Sequence, residues 1–147
     1  MDSIYGVSGV PKGRGAFKIA LSPDGKNIKE IWKNAKVLNK MGGFVKVEDR
    51  LYSSSMDHKL KVMDTNSGMV VDSLQNLYGS VISADDHLYC YADNGNVNLI
   101  KVSEPKMEVV SKFKIVKGTK EHFAHPVISN GVLYIRHGNA LMAYEIK

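Results

Sequence analysis

The chain has 147 residues, 44% of them hydrophobic and 24% charged, and a formal net charge of +5. Such proportions suit a single globular domain and exclude a disordered polymer, which needs low hydrophobicity and high net charge. No run approaches the ~18 apolar residues of a membrane-crossing helix, and the lone cysteine, Cys90, excludes an intrachain disulfide and a cysteine-built metal site.

In chain order, Met1-Asp2-Ser3-Ile4-Tyr5-Gly6 has neither the basic start nor the apolar core of a secretory leader. Ile4-Tyr5 reads as a first strand. The glycines of Gly6-Val7-Ser8-Gly9-Val10-Pro11-Lys12 and Gly13-Arg14-Gly15 suggest a long loop; the spacing of a phosphate-binding loop fails, because no Gly-Lys-Ser/Thr follows. Asp24-Gly25 marks a turn, and residues 28–32 after it form a strand. Residues 28–37 can also be drawn as a short amphipathic helix, but the preceding turn and the repeat described next favour a strand.

From here the chain repeats. Gly42-Gly43-Phe44-Val45 leads through Glu48-Asp49 to Leu51-Tyr52; Gly79-Ser80-Val81-Ile82 leads through Asp85-Asp86 to Leu88-Tyr89; Ala124-His125-Pro126-Val127-Ile128 leads through Asn130-Gly131 to Leu133-Tyr134. Each middle dipeptide sits where a hairpin needs positive φ, which Asn-Gly meets best, Asp fairly and Glu poorly. Second turns follow at Met56-Asp57-His58, Asp93-Asn94-Gly95 and His137-Gly138-Asn139. Third strands then run over 60–63, 97–102 and 141–146, and fourth strands over 28–32, 70–72 and 109–113. The copies hold three, four, four and three strands, a period near 40 residues. Short antiparallel strands at that spacing are the signature of propeller blades. The fold expected is all-β: one domain over 1–147, with about four blades near 1–35, 36–76, 77–115 and 116–147, a partial propeller or half-ring.

The residues that carry this pattern resemble the β-propeller repeats named after pyrroloquinoline quinone (PQQ), of the type common in Bacteroidetes. The resemblance rests on Leu21-Ser22-Pro23-Asp24-Gly25-Lys26 with Ile31-Trp32-Lys33-Asn34, on Asp64-Thr65-Asn66-Ser67-Gly68, on Leu88-Tyr89-Cys90-Tyr91, and on His125 through Tyr144, and it covers nearly the whole chain. It implies a turn of the form Asp-x-x-Thr-Gly, kept here by Asp64 and Gly68 with Ser67 for Thr, and a tryptophan that docks one blade on the next. Trp32 resembles such a docking residue, whereas the next docking position falls on Asp72. Such propellers have seven or eight blades, so the chain resembles the C-terminal half of a longer, exported protein of the periplasm or cell surface. Two copies closing an eight-bladed ring would cover its open blade faces.

For chemistry, His122, His125 and His137 suggest a three-histidine metal site. Against it, residues three apart on a strand point to opposite faces, and His125 holds the inner-strand position of Gly43 and Ser80. Arg136 and His137, with His125, are candidates to line the axial opening and hold an anion through charge-assisted hydrogen bonds, or to form an ordinary inter-blade network. Asp93-Asn94-Gly95-Asn96 lacks the spaced acids of a calcium loop and reads as a hairpin. Cys90 lies on a buried strand without an evident base. The resemblance implies, for PQQ-dependent dehydrogenases, vicinal cysteines over the quinone and an Asp beside calcium. Cys90 alone cannot form that pair, and no Asp here matches that base, so neither PQQ nor calcium is supported by these residues. The basic residues are scattered, densest at Lys112, Lys114, Lys117 and Lys120, and no nucleic-acid module is found. The expected function is a non-catalytic binding or scaffold module, with a protein, small-molecule or glycan ligand. The resemblance extends to the repeat of the lipoprotein propeller in outer-membrane β-barrel assembly. The alternatives are a quinoprotein dehydrogenase and a glycan-binding or lyase propeller.

Overall fold

The computed structural model describes residues 3–9, 14–103 and 106–146. They form fourteen strands in four antiparallel sheets, with no helix among the described residues. The first sheet is β1 (Ser3–Ser8), β2 (Gly15–Leu21) and β3 (Ile28–Asn34). The second is β4 (Val45–Val47), β5 (Arg50–Ser55), β6 (Lys59–Asp64) and β7 (Val70–Gln75). The third is β8 (Gly79–Ala84), β9 (His87–Ala92), β10 (Asn96–Ser103) and β11 (Lys106–Lys114). The last is β12 (Val127–Ser129), β13 (Val132–His137) and β14 (Ala140–Glu145). Strands are neighbours in space in the order they follow in the chain, so each sheet is a simple meander.

The turns explain the meanders. Asn130 and Gly131 have φ of 50° and 72°, and Asp85 and Asp86 have 48° and 59°, the left-handed pair that a tight hairpin requires. Glu48 is held there too, at 47°, although a side chain with a long stem disfavours it. Between β6 and β7, the Asp64 carboxylate accepts from the backbone N–H groups of Asn66 and Ser67 and from the Ser67 hydroxyl, at 2.8 to 3.1 Å. Those bonds from Ser67 hold its carboxyl below the ordinary range. Residues 28–34 are strand, paired along β2, not helix. The expected loop over 6–15 is corrected at its ends: Gly6, Val7 and Ser8 pair with Phe17, Ala16 and Gly15, because Tyr5 and Val7, two apart on one face of the strand, pack against Ala16, Val37, Leu51 and Met63. Residues 10–13 of that expected loop lie outside the described residues.

Each sheet buries both faces only where a neighbour covers it. One core lies between the first and second sheets, around Ala16, Val37, Leu51 and Met63 with Tyr5, Trp32 and Phe44. A second, around Tyr52, Leu60, Val62, Leu88, Cys90 and Ile100, joins the second and third. A third, around Tyr91, Val97, Ile115, Leu133 and Ile135, joins the third and fourth. These contacts run only between successive sheets, as in stacked repeats. A β-bulge recurs in the outermost pair of the first three sheets, at Lys18/Ile19, Val62/Met63 and Leu99/Ile100. It fixes a common register for comparing the sheets position by position.

Strand β5, the second of its sheet, carries a buried polar seam. Ser53, Ser54 and Ser55 are all buried. Asn39 Nδ2 donates to Ser53 Oγ at 3.1 Å, the Leu38 N–H donates to Ser55 Oγ at 3.1 Å, and Ser54 Oγ donates to the Gly79 carbonyl in the third sheet at 2.6 Å. Gly79 is glycine for want of room, since a Cβ there would run into the Tyr91 carbonyl. Lys61, also buried, spends its ammonium on the Lys36 carbonyl at 2.7 Å and the Asp57 carboxylate at 2.8 Å.

Candidate functional site

Two groups of residues singled out in the sequence come together, and one is pulled apart. The docking residues converge. The Trp32 indole lies between Tyr5, with ring centroids 6.3 Å apart, and the second sheet, and its Nε1–H donates to the Thr65 carbonyl at 3.0 Å. Gly68, at φ +70°, closes over the indole; a Cβ there would sit 2.5 Å from Trp32 Cδ2. Asn34 Nδ2 donates to the Gly68 carbonyl at 2.8 Å. The turn built by Asp64 thus presents its carbonyl and its bare glycine to the indole of the preceding sheet.

At the inner edge, His125 meets Gly42 and Ser80. A Cβ on Gly42 would stand 3.0 Å from His125 Cε1 and 3.5 Å from Ser80 Oγ. Ser80 Oγ donates to the Met41 carbonyl at 3.2 Å. Asn39 shapes the loop: its Oδ1 accepts from the N–H groups of Met41 and Gly42, while its Nδ2 donates to the Gly43 carbonyl at 2.9 Å. An open cavity of about 570 Å³ lies here, with Lys40 and His125 as its basic lining. Among the described residues no carboxylate lines it, a donor set that does not suit calcium. Cys90 faces the second core instead, where burial pushes its thiol up to about 12, so it offers no nucleophile to this opening. The described lining of this opening therefore does not fit a calcium-bound quinone.

Arg136 and His137 do not join His125. They are consecutive on β13 and point to opposite faces. Arg136 is exposed, its Nε donating to the Gly138 carbonyl at 3.0 Å. His137 is buried, with its ring nitrogens 2.8 and 2.6 Å from the carbonyls of Lys117 and Lys120. It stacks on His122 at 3.8 Å, and His122 Nδ1 is hydrogen-bonded to the Tyr91 hydroxyl at 2.5 Å. Burial, then the neighbouring His137, lowers the His122 pKa. The three-histidine metal site does not form: both ring nitrogens of His137 face backbone carbonyls, His125 stands at another edge, and among the described residues no three metal-type side chains cluster. The His122–His137 stack was hidden from sequence reasoning, because residues 115–126 have no periodicity to show which way either ring turns.

No protein-family description matches the chain, and no curated protein matches it in sequence. Among solved structures it is similar to BamB from Moraxella catarrhalis, at 15% identity with a TM-score of 0.66, over 97% of this chain and 45% of that one. The chain spans a little under half the length of that structure. With four successive antiparallel sheets joined by face-to-face cores, the similarity shows the fold: a β-propeller arc of about four blades.

Proposed function

We propose that the chain is a non-catalytic, PQQ-like propeller module that works as a binding or scaffold unit, and that a second copy completes its arc to an eight-bladed ring. The observation that carries this reading is what the open ends expose. On the last blade, Leu141 is 72% exposed, while its repeat counterpart Leu60 is 0% exposed against the third blade. Tyr134 is 37% exposed and its counterpart Tyr52 is 2%. On the first blade, Ile4 is 44% exposed and its counterpart Leu51 is 2%. Positions that are core wherever another blade adjoins them are bare at both ends, and the faces exposed are the two that blades present to one another in succession. Such surfaces favour association. Two copies joined head to tail cover both at once and close with two-fold symmetry. The length of the BamB structure supports the count, since this chain spans 45% of it. The resemblance of the repeats to exported propellers supports a parent protein of the periplasm or cell surface, in which further blades of the same chain would take the place of the second copy.

Solution mass by light scattering tests this. A mass twice 16.3 kDa that falls to one chain in Leu141→Asp supports ring closure. A monodisperse single chain overturns it.

A further inference from the structure

The recurring bulge allows the outer strands to be compared residue by residue. Trp32 pairs with Lys18 just before the bulge of the first blade, Asp72 with Val62 in the second, and Ser111 with Leu99 in the third. These three residues hold one repeat position. Only the first carries an indole, which sits among Tyr5, Leu51 and Met63 and donates to Thr65.

The same register gives the counterparts of that surround at the junction of the third and fourth blades. Tyr5 corresponds to Tyr89, which pairs with Leu99. Leu51 and Met63 are a cross-strand pair, matched by Leu133 and Tyr144. Thr65 corresponds to Ile146, for both donate a backbone N–H to the second residue of the preceding hairpin turn, Asp49 and Gly131, at 3.0 and 2.9 Å. Ser111, Tyr89, Leu133, Tyr144 and Ile146 line one cavity of about 330 Å³. Where the first junction holds an indole, this one holds a serine and a hollow. An apolar cavity of about 150 Å³ is enough to admit benzene, so this space is ample. Its wall is aromatic: Phe113 lies against Tyr144 with centroids 4.7 Å apart. The middle junction differs, because the Asp72 carboxylate accepts the Met107 N–H at 2.9 Å and Met107 is itself buried in that core.

We propose that the hollow between the third and fourth blades is a binding site for a planar aromatic ligand of indole size bearing a ring N–H. The ring lies between Tyr89, Leu133 and Tyr144, and the N–H is directed to the Ile146 carbonyl, as Trp32 is to Thr65. The site lies within one chain, so it stands or falls independently of ring closure.

The test is a titration of the intact chain with indole, read by the methyl resonances of Leu99 and Leu133. Saturable shifts with a dissociation constant on the order of 1 mM or tighter are expected for so small a fragment. Loss of that response is expected in Ser111→Trp, which supplies the ring from within and raises the melting temperature. Several-fold weaker binding is expected of 1-methylindole, which lacks the N–H donor. If Ser111→Trp does not fold, Ser111→Phe replaces it. Absence of methyl shifts on adding indole to the wild-type chain overturns the proposal, as does unchanged indole binding in the folded Ser111 variant.

Discussion

Removing the Trp32 indole tests whether one docking residue couples the first blade to the second. An aromatic side chain buries roughly 150–250 Å² when fully enclosed. Trp32 is half-buried, so about 120 Å² of apolar surface leaves water there. At about 25 cal/mol per Å² that is about 3 kcal/mol, an upper value because the unfolded chain already buries some of it. The bond from Nε1–H to the Thr65 carbonyl adds about 1 kcal/mol net. Trp32→Ala is therefore expected to cost about 3 kcal/mol and Trp32→Phe about 1–2 kcal/mol, since Phe keeps most of the contact with Tyr5 and loses the donor. Urea unfolding followed by circular dichroism reads both, with a midpoint shift of about 1–2 M for the alanine variant. In the wild type, Trp32 is the only tryptophan, so its fluorescence reports this junction alone. Coincidence of its transition with that of circular dichroism would show that the blades unfold together. A cost below about 0.5 kcal/mol for Trp32→Ala, or equal costs for the two variants, would refute the reasoning, the first because surface polish costs that little and the second because the donor would then carry everything.

Three further outcomes are expected. Cys90, with its thiol pushed up to about 12 by burial and by the charge of Asp93, carries thiolate in roughly one molecule in ten thousand at pH 8, so iodoacetamide should label it only at the rate of unfolding. Labelling of the native chain at the rate of a free thiol would contradict its placement. His122 has a lowered pKa in the fold, so the unfolded chain binds the proton more tightly. Stability should then be full above about pH 6.5 and fall as the pH drops below it, and His122→Phe should flatten that slope in thermal melts. The turn at Asp85-Asp86 holds two non-glycine residues at positive φ, and replacing them by Asp85→Asn with Asp86→Gly should raise stability by about 1 kcal/mol in the same urea assay. A loss of stability would mean that the carboxylates contribute more than the strain they impose.

The strands were legible because two signals agree at each of them. Apolar alternation marks their interiors, and Gly68, Asp85-Asp86 and Asn130-Gly131 mark their ends, residue types that tolerate the positive φ found there. The outer strands run further than the apolar letters suggest. Residues 73–75 of β7 are Ser-Leu-Gln, and only pairing with Lys59, Leu60 and Lys61 keeps them extended. At the inner edge, the sequence placed His125 near Ser80 and the double glycine because equivalent positions of stacked blades meet at the axis. It left His137 open between the axial opening and an inter-blade network, because a single polar residue on a strand gives no sign of which face will be buried; its ring lies against the Lys117 and Lys120 carbonyls and His122. Ser111 passed unnoticed as a docking position. The third blade lacks the Asp-to-Gly turn that points to it, and only the bulge register in three dimensions equates it with Trp32.

The serine seam of β5 has a consequence for how look-alike repeats avoid exchanging places. Four copies of one strand pattern, each opening on an aromatic or aliphatic pair, offer the folding chain many wrong partners of nearly equal apolar fit. The counterparts of Ser53-Ser54-Ser55 in the other copies are Gly6-Val7-Ser8, Cys90-Tyr91-Ala92 and Ile135-Arg136-His137, so no other strand brings three hydroxyls inside. Set one residue out of register, or in another blade's place, they would lose Asn39, Gly79 and Leu38 and stand in the interior without partners, at about 1–3 kcal/mol each. The seam thus acts as an address, identifying the second blade to its neighbours in a chain whose hydrophobic code says nearly the same thing four times.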